Sequence, residues 1–207
     1  MIIVDVETTG FDPNKHSIVS IGAIDLENPN NQFYIENQIW DGAEIFEEDP
    51  LLPGPGYVSS LSVNGFTKEQ IKDKNKPTLK EAIGLFLKWT ESCNIKLLAG
   101  HNPYFDMDFL RSSALIHGMA WKLSYRTIDL HTVVYLSHKK RGLNPQKLGS
   151  TECFNYVGLP EEPKPHNALK GAKMEAEAFY RLIYGKPLLE EFKNYQVPDY
   201  LSNLAQK

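Results

Sequence analysis

The order in which strand-like and helix-like segments follow one another constrains the fold of this 207-residue chain more than any other feature. Residues 2–6 and 18–26 are apolar and contain β-branched residues, which is typical of strands. After a turn at residues 27–30, residues 32–36 are predicted to return as a third antiparallel strand. Farther along, helix-like segments alternate with short strands, so the sequence predicts an α/β fold with a mixed sheet flanked by helices.

Helical spacing and capping predict the later elements. Thr78 begins one helix, because Glu81 stands at the capping-box position three residues later. Residues 49–56 contain three prolines and two glycines, and they are predicted to form a loop. The other predicted elements are strands at 96–100 and 127–130 and helices at 104–117, 131–138, 146–157 and 167–184.

Length and composition indicate one globular domain. The chain is 42% apolar and 23% charged, and it has no apolar run long enough to span a bilayer. Residues 1–10 lack a signal-peptide layout, so we expect a cytoplasmic protein, without membrane contact, whose Cys93 and Cys153 stay reduced. We assign residues 1–185 to the domain and residues 186–207 to a C-terminal tail, either an appendage or a partner-binding segment.

The formal charge of −4 argues against binding a phosphate backbone along a broad surface. Any contact with nucleic acid should therefore be local. Positive charge gathers at residues 139–141 and at Lys164, Lys170 and Lys173 around His166. Such runs are also typical of solvated faces, and both interpretations stay open.

Acidic residues gather at the end of the first predicted strand. Asp5 and Glu7 are two positions apart, so both project from one face of the strand. The turn at Thr8-Thr9-Gly10 follows, and its glycine permits positive φ so that backbone N–H groups can approach a phosphate or sugar. This arrangement predicts a metal or ligand site, although a solvated strand end would show the same residues.

Two further motifs lie at element boundaries. In the segment 100–106, a strand ends and Asp106 falls in the first turn of a helix, where the helix dipole favours a carboxylate. His166 directly precedes the helix predicted at 167–184. Each motif alone is explained by helix capping or structure, but three in this order indicate a functional site.

With these motifs the sequence resembles the DEDDh exonucleases, a family that includes proofreading subunits, ribonuclease T and oligoribonuclease. Residues 5–10 are similar to the first motif of the family, residues 101–106 to the second, and His166 to the third. Residues 63–67 are similar to the segment beside the terminal base. The resemblance covers residues 1–185 and implies a ribonuclease H-like sheet.

The resemblance also implies two Mg²⁺ or Mn²⁺ ions, about 3.5–4 Å apart, that serve phosphodiester hydrolysis. By this resemblance Asp5 bridges both ions, and Glu7 holds one ion and approaches the terminal ribose. Asp106 acts directly or through metal-bound water, and His166 is the general base. All four are then catalytic. Phe66 and Phe11 could stack on the last bases, and a place in the buried core stays open for either ring. Nucleic acid would contact a second set of residues, which includes Phe66 but not Phe11. That set is Thr8, Thr9, Gly10, Phe66 and Asn102.

The sequence departs from the family pattern at Gly171, where an Asp is expected five residues after His166. The missing carboxylate predicts a weakened metal site. Three explanations stay open: deliberate inactivation, natural loss of activity, or compensation by Glu175 one helical turn farther on. The distance along the helix argues against full replacement by Glu175.

The first functional hypothesis is a metal-dependent 3′–5′ exonuclease that acts on the 3′ ends of single-stranded DNA or RNA. The alternative is a catalytically silent module that binds nucleic-acid ends. A third hypothesis is an interaction subunit with a polymerase partner, and the resemblance also admits a homodimer.

Overall fold

The computed structural model describes residues 1–47 and 58–202, which contain one mixed sheet of five strands in the order β3-β2-β1-β4-β5. Strand β1 is antiparallel to β2 and β2 is antiparallel to β3, whereas β4 is parallel to both β1 and β5. The strands are β1 Ile2–Thr8, β2 Ile18–Asp25, β3 Asn28–Glu36, β4 Leu98–Gly100 and β5 Thr127–Asp129.

Helices cover both faces of the sheet, and the residues of β1 alternate between two apolar cores. Ile2, Val4 and Val6 pack in the core that contains α2 and α3, while Ile3 packs in the core that contains α4, α5 and α6. The expected mixed sheet flanked by helices is therefore confirmed. The helices are α1 Ser60–Asn64, α2 Leu79–Thr90, α3 Pro103–Ile116, α4 Leu130–Lys140, α5 Ser150–Tyr156, α6 Ala168–Tyr184 and α7 Asp199–Ser202.

The start of α6 lies directly on the sheet at Gly22. This residue pairs with Asp5 across the β1–β2 ladder, so both residues share the face that α6 covers. A Cβ at position 22 would lie 2.1 Å from the carbonyl carbon of Ala168. The absence of a side chain at Gly22 therefore permits the close approach of α6 to β1.

The segment after α6 is tied to that helix by a buried ion pair. Arg181 and Glu177 are fully buried, with 2.7 Å between Arg181 Nε and Glu177 Oε1. Arg181 also donates to the carbonyls of Phe192 and Tyr195, each at 3.0 Å. The guanidinium carbon of Arg141 lies 3.6 Å from the ring centroid of Tyr200. Arg141, one of the positively charged residues at 139–141, therefore packs on this segment.

Several sequence expectations need correction. The turn expected at residues 27–30 is shorter, because Asn28 already pairs with Asp25 in β3. Pro29 is tolerated there because β3 is an edge strand. The helix expected at 146–157 begins only at Ser150, and the sequence did not predict α1 or α7. The loop expected at residues 49–56 lies outside the described residues.

The capping box expected at Thr78 is confirmed, with reciprocal hydrogen bonds between Thr78 and Glu81. Among the described residues, no helix is long and apolar enough to cross a membrane.

Candidate active site

A cleft of about 300 Å³ opens where β1 ends, next to the start of α6. Most of its ionisable side chains are carboxylates, and they come from β1, α6 and the segment between α5 and α6. The lining residues described below are Asp5, Glu7, Glu162, His166, Gly171 and Glu175.

Asp5 and Glu7 project from β1 into this cleft, on the face that α6 covers. Burial raises the pKa of Asp5 well above its usual range, and the negative charges of Glu7 and Glu175 raise it further. Burial also raises the pKa of Glu7 to about 8, with Glu162 and Asp106 adding repulsion. The cleft therefore holds carboxylates whose negative charge is poorly compensated.

Asp106 lies in the first turn of α3 but does not line the cleft. Its Oδ1 accepts a hydrogen bond of 2.8 Å from the backbone N–H of Val6. Strand β4 pairs with β1 only at Ile2 and Ile3, so Asp106 satisfies a β1 donor beyond that pairing. Burial raises the pKa of Asp106 to about 7 although this hydrogen bond lowers it.

Glu175 enters the cleft from α6 and is held against the end of β4. Its Oε1 accepts a 2.9 Å hydrogen bond from the backbone N–H of His101, whereas its Oε2 is buried without a hydrogen-bond partner among the described residues. Burial raises the pKa of Glu175 well above its usual range, and Asp106 is the largest electrostatic contributor.

His166 stands at the rim of the cleft, with its side chain 30% exposed. Its backbone N–H donates to the carbonyl of Val63 at 3.0 Å, which ties the residue to the end of α1. Its Nδ1 lies 3.6 Å from Oε2 of Glu162, whose side chain is only 12% exposed. Burial raises the pKa of Glu162, and His166 lowers it.

The sequence did not predict Glu162 as a site residue. It lies in an irregular, proline-containing segment before α6, where no strand or helix period indicates the direction of a side chain. The only available signal was its position four residues before His166 in a chain that lacks an acidic residue at 171.

Gly171 faces the same carboxylates from the first turns of α6. A Cβ at this position would lie 2.0 Å from Oδ2 of Asp5 and 3.4 Å from Oε1 of Glu162. The carboxylate of Asp5 thus occupies the space that a side chain at 171 would take.

The turn after β1 differs from the expectation in one respect. Gly10 does not have positive φ. A Cβ there would lie 2.2 Å from Cδ2 of His16, so close packing of that ring explains the glycine. Thr8 and Gly10 line the cleft, but the hydroxyl of Thr9 is buried and donates to the carbonyl of Glu44.

The residues expected to contact bases lie in different places. Phe11 lines the cleft, with its ring 4.9 Å from that of Phe46. Phe66 lies in an adjoining groove of about 270 Å³ that also contains Lys164 and Lys170. Asn102 lies outside both depressions, at the N-terminus of α3 with φ of 56°.

Cation binding fits the chemistry of the donors but not their present conformation. Within residues 1–47 and 58–202, no group of three or more His, Cys, Asp or Glu side chains is arranged to hold a metal ion. The donors are nevertheless carboxylate oxygens, which Mg²⁺ and Mn²⁺ prefer. Glu162 Oε1 and Glu175 Oε2 are buried and have no hydrogen-bond partner among the described residues, so a cation would satisfy them.

The family model described as Exonuclease matches residues 2–179, which is most of the chain. The chain belongs to this exonuclease family. The DNA polymerase III subunit epsilon of Rickettsia prowazekii is 31% identical over 215 residues, covering 100% of this chain and 82% of that protein. The ribonuclease T of Wigglesworthia glossinidia brevipalpis is 28% identical, covering 88% of this chain and 83% of that protein.

A PolC-type DNA polymerase III of Caldanaerobacter subterraneus subsp. tengcongensis is 28% identical over 88% of this chain, which spans only 11% of that polymerase. Among solved structures, the nuclease domain of 3'hExo, a DEDDh family member, has a TM-score of 0.64 at 14% identity and covers 96% of this chain and 95% of that one. E. coli Exonuclease I in complex with dT13 has a TM-score of 0.61 at 16% identity, covering 87% and 40%. The expected ribonuclease H-like fold and the resemblance to DEDDh exonucleases are thereby confirmed.

Proposed function

We propose that this chain is a metal-dependent 3′–5′ exonuclease that acts on the ends of single-stranded DNA or RNA. One observation carries the proposal: five carboxylates that influence one another are gathered in and beneath a single cleft. Burial raises the pKa of all five groups, and repulsion between carboxylates raises the pKa of three of them further, which is typical of a functional site. They are Asp5, Glu7, Asp106, Glu162 and Glu175.

In this proposal Asp5, Glu7 and Asp106 hold one or two ions of Mg²⁺ or Mn²⁺. When bound, these cations would stabilise the charge that develops on the phosphate during hydrolysis. His166 would accept the proton of the attacking water, because it reaches the cleft from the rim and remains accessible to solvent. Glu162, beside Nδ1 of His166, would orient the imidazole for that transfer.

The preference for an end rests on the turn after β1 and the adjoining groove. Thr8 and Gly10 border the cleft next to Glu7, where they would contact a terminal sugar. The groove with Phe66, Lys164 and Lys170 would bind the preceding nucleotides by stacking and charge. The complexes of 3'hExo with rAMP and of E. coli Exonuclease I with dT13 support a terminal nucleotide and a single strand as ligands.

Degradation of a 5′-labelled single strand tests this proposal. In Mn²⁺ we expect a ladder that shortens from the 3′ end, while a 3′-phosphorylated strand and a circular strand resist. Asp5→Asn should lower the rate by about a thousandfold, since a lost cation ligand can remove several kcal/mol of transition-state stabilisation. Equal digestion of the circular strand, or an unchanged rate for Asp5→Asn, would contradict the proposal.

A silent module that binds nucleic-acid ends is the second candidate, and Gly171 is the observation that favours it. Such a module would bind a single strand with a free 3′ end and release no mononucleotide in Mg²⁺ or Mn²⁺.

The family match to residues 2–179 supports residues 1–185 as the exonuclease domain. The polymerase III relatives support a polymerase as partner, while a homodimer remains to be tested by sedimentation.

A further inference from the structure

Two carboxylates lie at the position of the missing acidic residue, because Asp5 occupies the space that a side chain at 171 would take and Glu162 lies beside it. Among the described residues outside α6, the heavy atom closest to a Cβ at position 171 after those of Asp5 is Oε1 of Glu162, at 3.4 Å. Glu162 comes from the segment before α6, so it reaches this space from outside the helix. A second carboxylate therefore lies beside the position at which the family pattern places one on α6.

The carboxylate of Glu162 is largely buried, unlike that of a surface glutamate. Its side chain is 12% exposed, and its Oε1 is buried with no hydrogen-bond partner in the described part of the chain. Its other carboxylate oxygen faces His166 Nδ1 at 3.6 Å. An unpartnered buried carboxylate oxygen costs free energy unless a ligand or cation satisfies it.

Glu175, the replacement considered from the sequence, is held elsewhere. The backbone N–H of His101 fixes its Oε1, and its Oε2 lies 2.9 Å from the position of a Cβ on Gly100. Glu175 therefore lies against β4, whereas Glu162 lies beside Gly171 and Asp5.

We propose that Glu162 replaces the carboxylate missing at position 171 and binds a divalent cation together with Asp5. This inference rests on the proposed function of the same cleft. It assigns Glu162 two contacts, one to the cation through the oxygen that lacks a partner and one to His166. The segment before α6 would then supply the carboxylate that α6 lacks, and the net charge of the site would equal that expected from the family pattern.

Binding of Mn²⁺ to the purified 207-residue chain, measured by calorimetry without nucleic acid, tests the inference. Glu162→Gln should weaken Mn²⁺ binding by at least about tenfold, because mutation of residues that only hydrogen-bond to metal ligands already lowers metal affinity by about that factor. The matched control is Glu161→Gln, an exposed neighbour outside the cleft, which should leave the affinity unchanged. In EDTA the melting temperature of Glu162→Gln should equal or exceed that of the parent, because a like charge is removed.

A second variant guards against an indirect effect. Adding Gly171→Asp to Glu162→Gln should restore Mn²⁺ affinity, because the carboxylate returns by the helical route. If that double variant does not fold, Glu162→Asp replaces it and should bind Mn²⁺ more tightly than Glu162→Gln.

Nucleotide release separates this inference from the proposed function. If the parent binds Mn²⁺ and releases nucleotides while Glu162→Gln binds like Glu161→Gln, the inference is wrong and the function stands. Weakened Mn²⁺ binding in Glu162→Gln without nucleotide release from the parent would support the inference and contradict the function. A parent that binds no Mn²⁺ would overturn both.

Discussion

Two buried glutamates on α6, only two residues apart, have opposite surroundings. Both oxygens of Glu177 are satisfied, by Arg181 on one side and by the backbone N–H groups of Leu188 and Leu189 on the other. Glu175 has one hydrogen bond, from His101, and its other oxygen has no partner in the described residues. We call the first group, Glu177 with Arg181 and its backbone partners, the closed pair.

The open cluster consists of Asp5, Glu7, Asp106, Glu162 and Glu175, and the electrostatic contributions to its raised pKa values are mostly repulsive. The closed pair is neutral and connects α6 to the segment that follows it. A buried ion pair with complete hydrogen bonding maintains a structure, whereas buried like charges destabilise one. In the proposed function the open cluster would bind cations, whereas the closed pair connects α6 to the segment that follows it.

The largest effect should come from breaking the closed pair. Arg181→Met would leave Glu177 buried without a cation and lower the free energy of unfolding by about 3–5 kcal/mol. The matched change in the open cluster, Glu175→Gln, should keep or raise that free energy in EDTA, because it removes a repelling charge. Urea unfolding of both variants measures the difference. Equal destabilisation by the two changes would remove the distinction between the clusters.

The open cluster should also make the metal-free protein less stable as the pH rises. The folded-state pKa of Glu7, about 8, exceeds its usual value of 4.5, so folding favours the protonated carboxyl. Its contribution to stability is complete below pH 4.5 and is lost as the pH rises through about 8. The pKa of Asp106 is likewise raised on folding, from 3.8 to about 7, so its contribution to stability is also lost as the pH rises through about 7.

We expect the melting temperature in EDTA to fall between pH 5 and pH 8, the range in which these two groups ionise. Saturating Mn²⁺ binds the ionised carboxylates, so it should reduce this fall in melting temperature. In EDTA, Glu7→Gln should also reduce the fall, because it removes one of the two ionising groups. A melting temperature that rises over this range in EDTA would contradict the electrostatic description of the cluster.

A smaller effect should arise in the groove beside the open cluster. Phe66→Ala removes a stacking surface and should weaken binding of a short single strand by about 1 kcal/mol, at the low end for one stacked base. Fluorescence anisotropy of labelled dT13 without metal measures it. Tyr125→Ala, an exposed aromatic outside the groove, is the control and should bind like the parent. Equal losses in both variants would indicate no specific role for Phe66.

The smallest effect should follow from Gly171→Asp in the otherwise unchanged chain. Since Glu162 already supplies a carboxylate there, Mn²⁺ affinity should change by less than about threefold, or about 0.6 kcal/mol. The new side chain must also displace the carboxylate of Asp5, which lies 2.0 Å from the Cβ position. Calorimetry beside the parent checks this value, and a gain of several orders of magnitude would show that position 171 itself is the defect.

The sequence predicted those parts of the molecule that depend on local order. Asp5 and Glu7 share a face because a strand alternates, and Asp106 falls in the first turn of α3 because the motif spans the end of β4. Both features need only neighbouring residues. The strands and most helices were predicted for the same reason, with differences at their ends.

The parts that the sequence did not predict depend on the path of irregular segments. Glu162 reaches the cleft from the irregular segment between α5 and α6, and no periodic pattern in the sequence indicates the path of that segment. Arg181 and Glu177 have a helical spacing of four, which is also common on exposed surfaces. Their burial depends on residues 188–195, whose packing has no simple signature in the sequence.

The width of the cleft depends on Gly22 as well as on the side chains that line it. Because any side chain there would meet the backbone of Ala168, the distance between the sheet and α6 depends on one missing methyl group. That distance decides whether residues of α6 come within reach of Asp5, the partner of Gly22 on the next strand. A survey of tolerated substitutions would therefore find position 22 as restricted as the carboxylates, although it contributes no group to the chemistry.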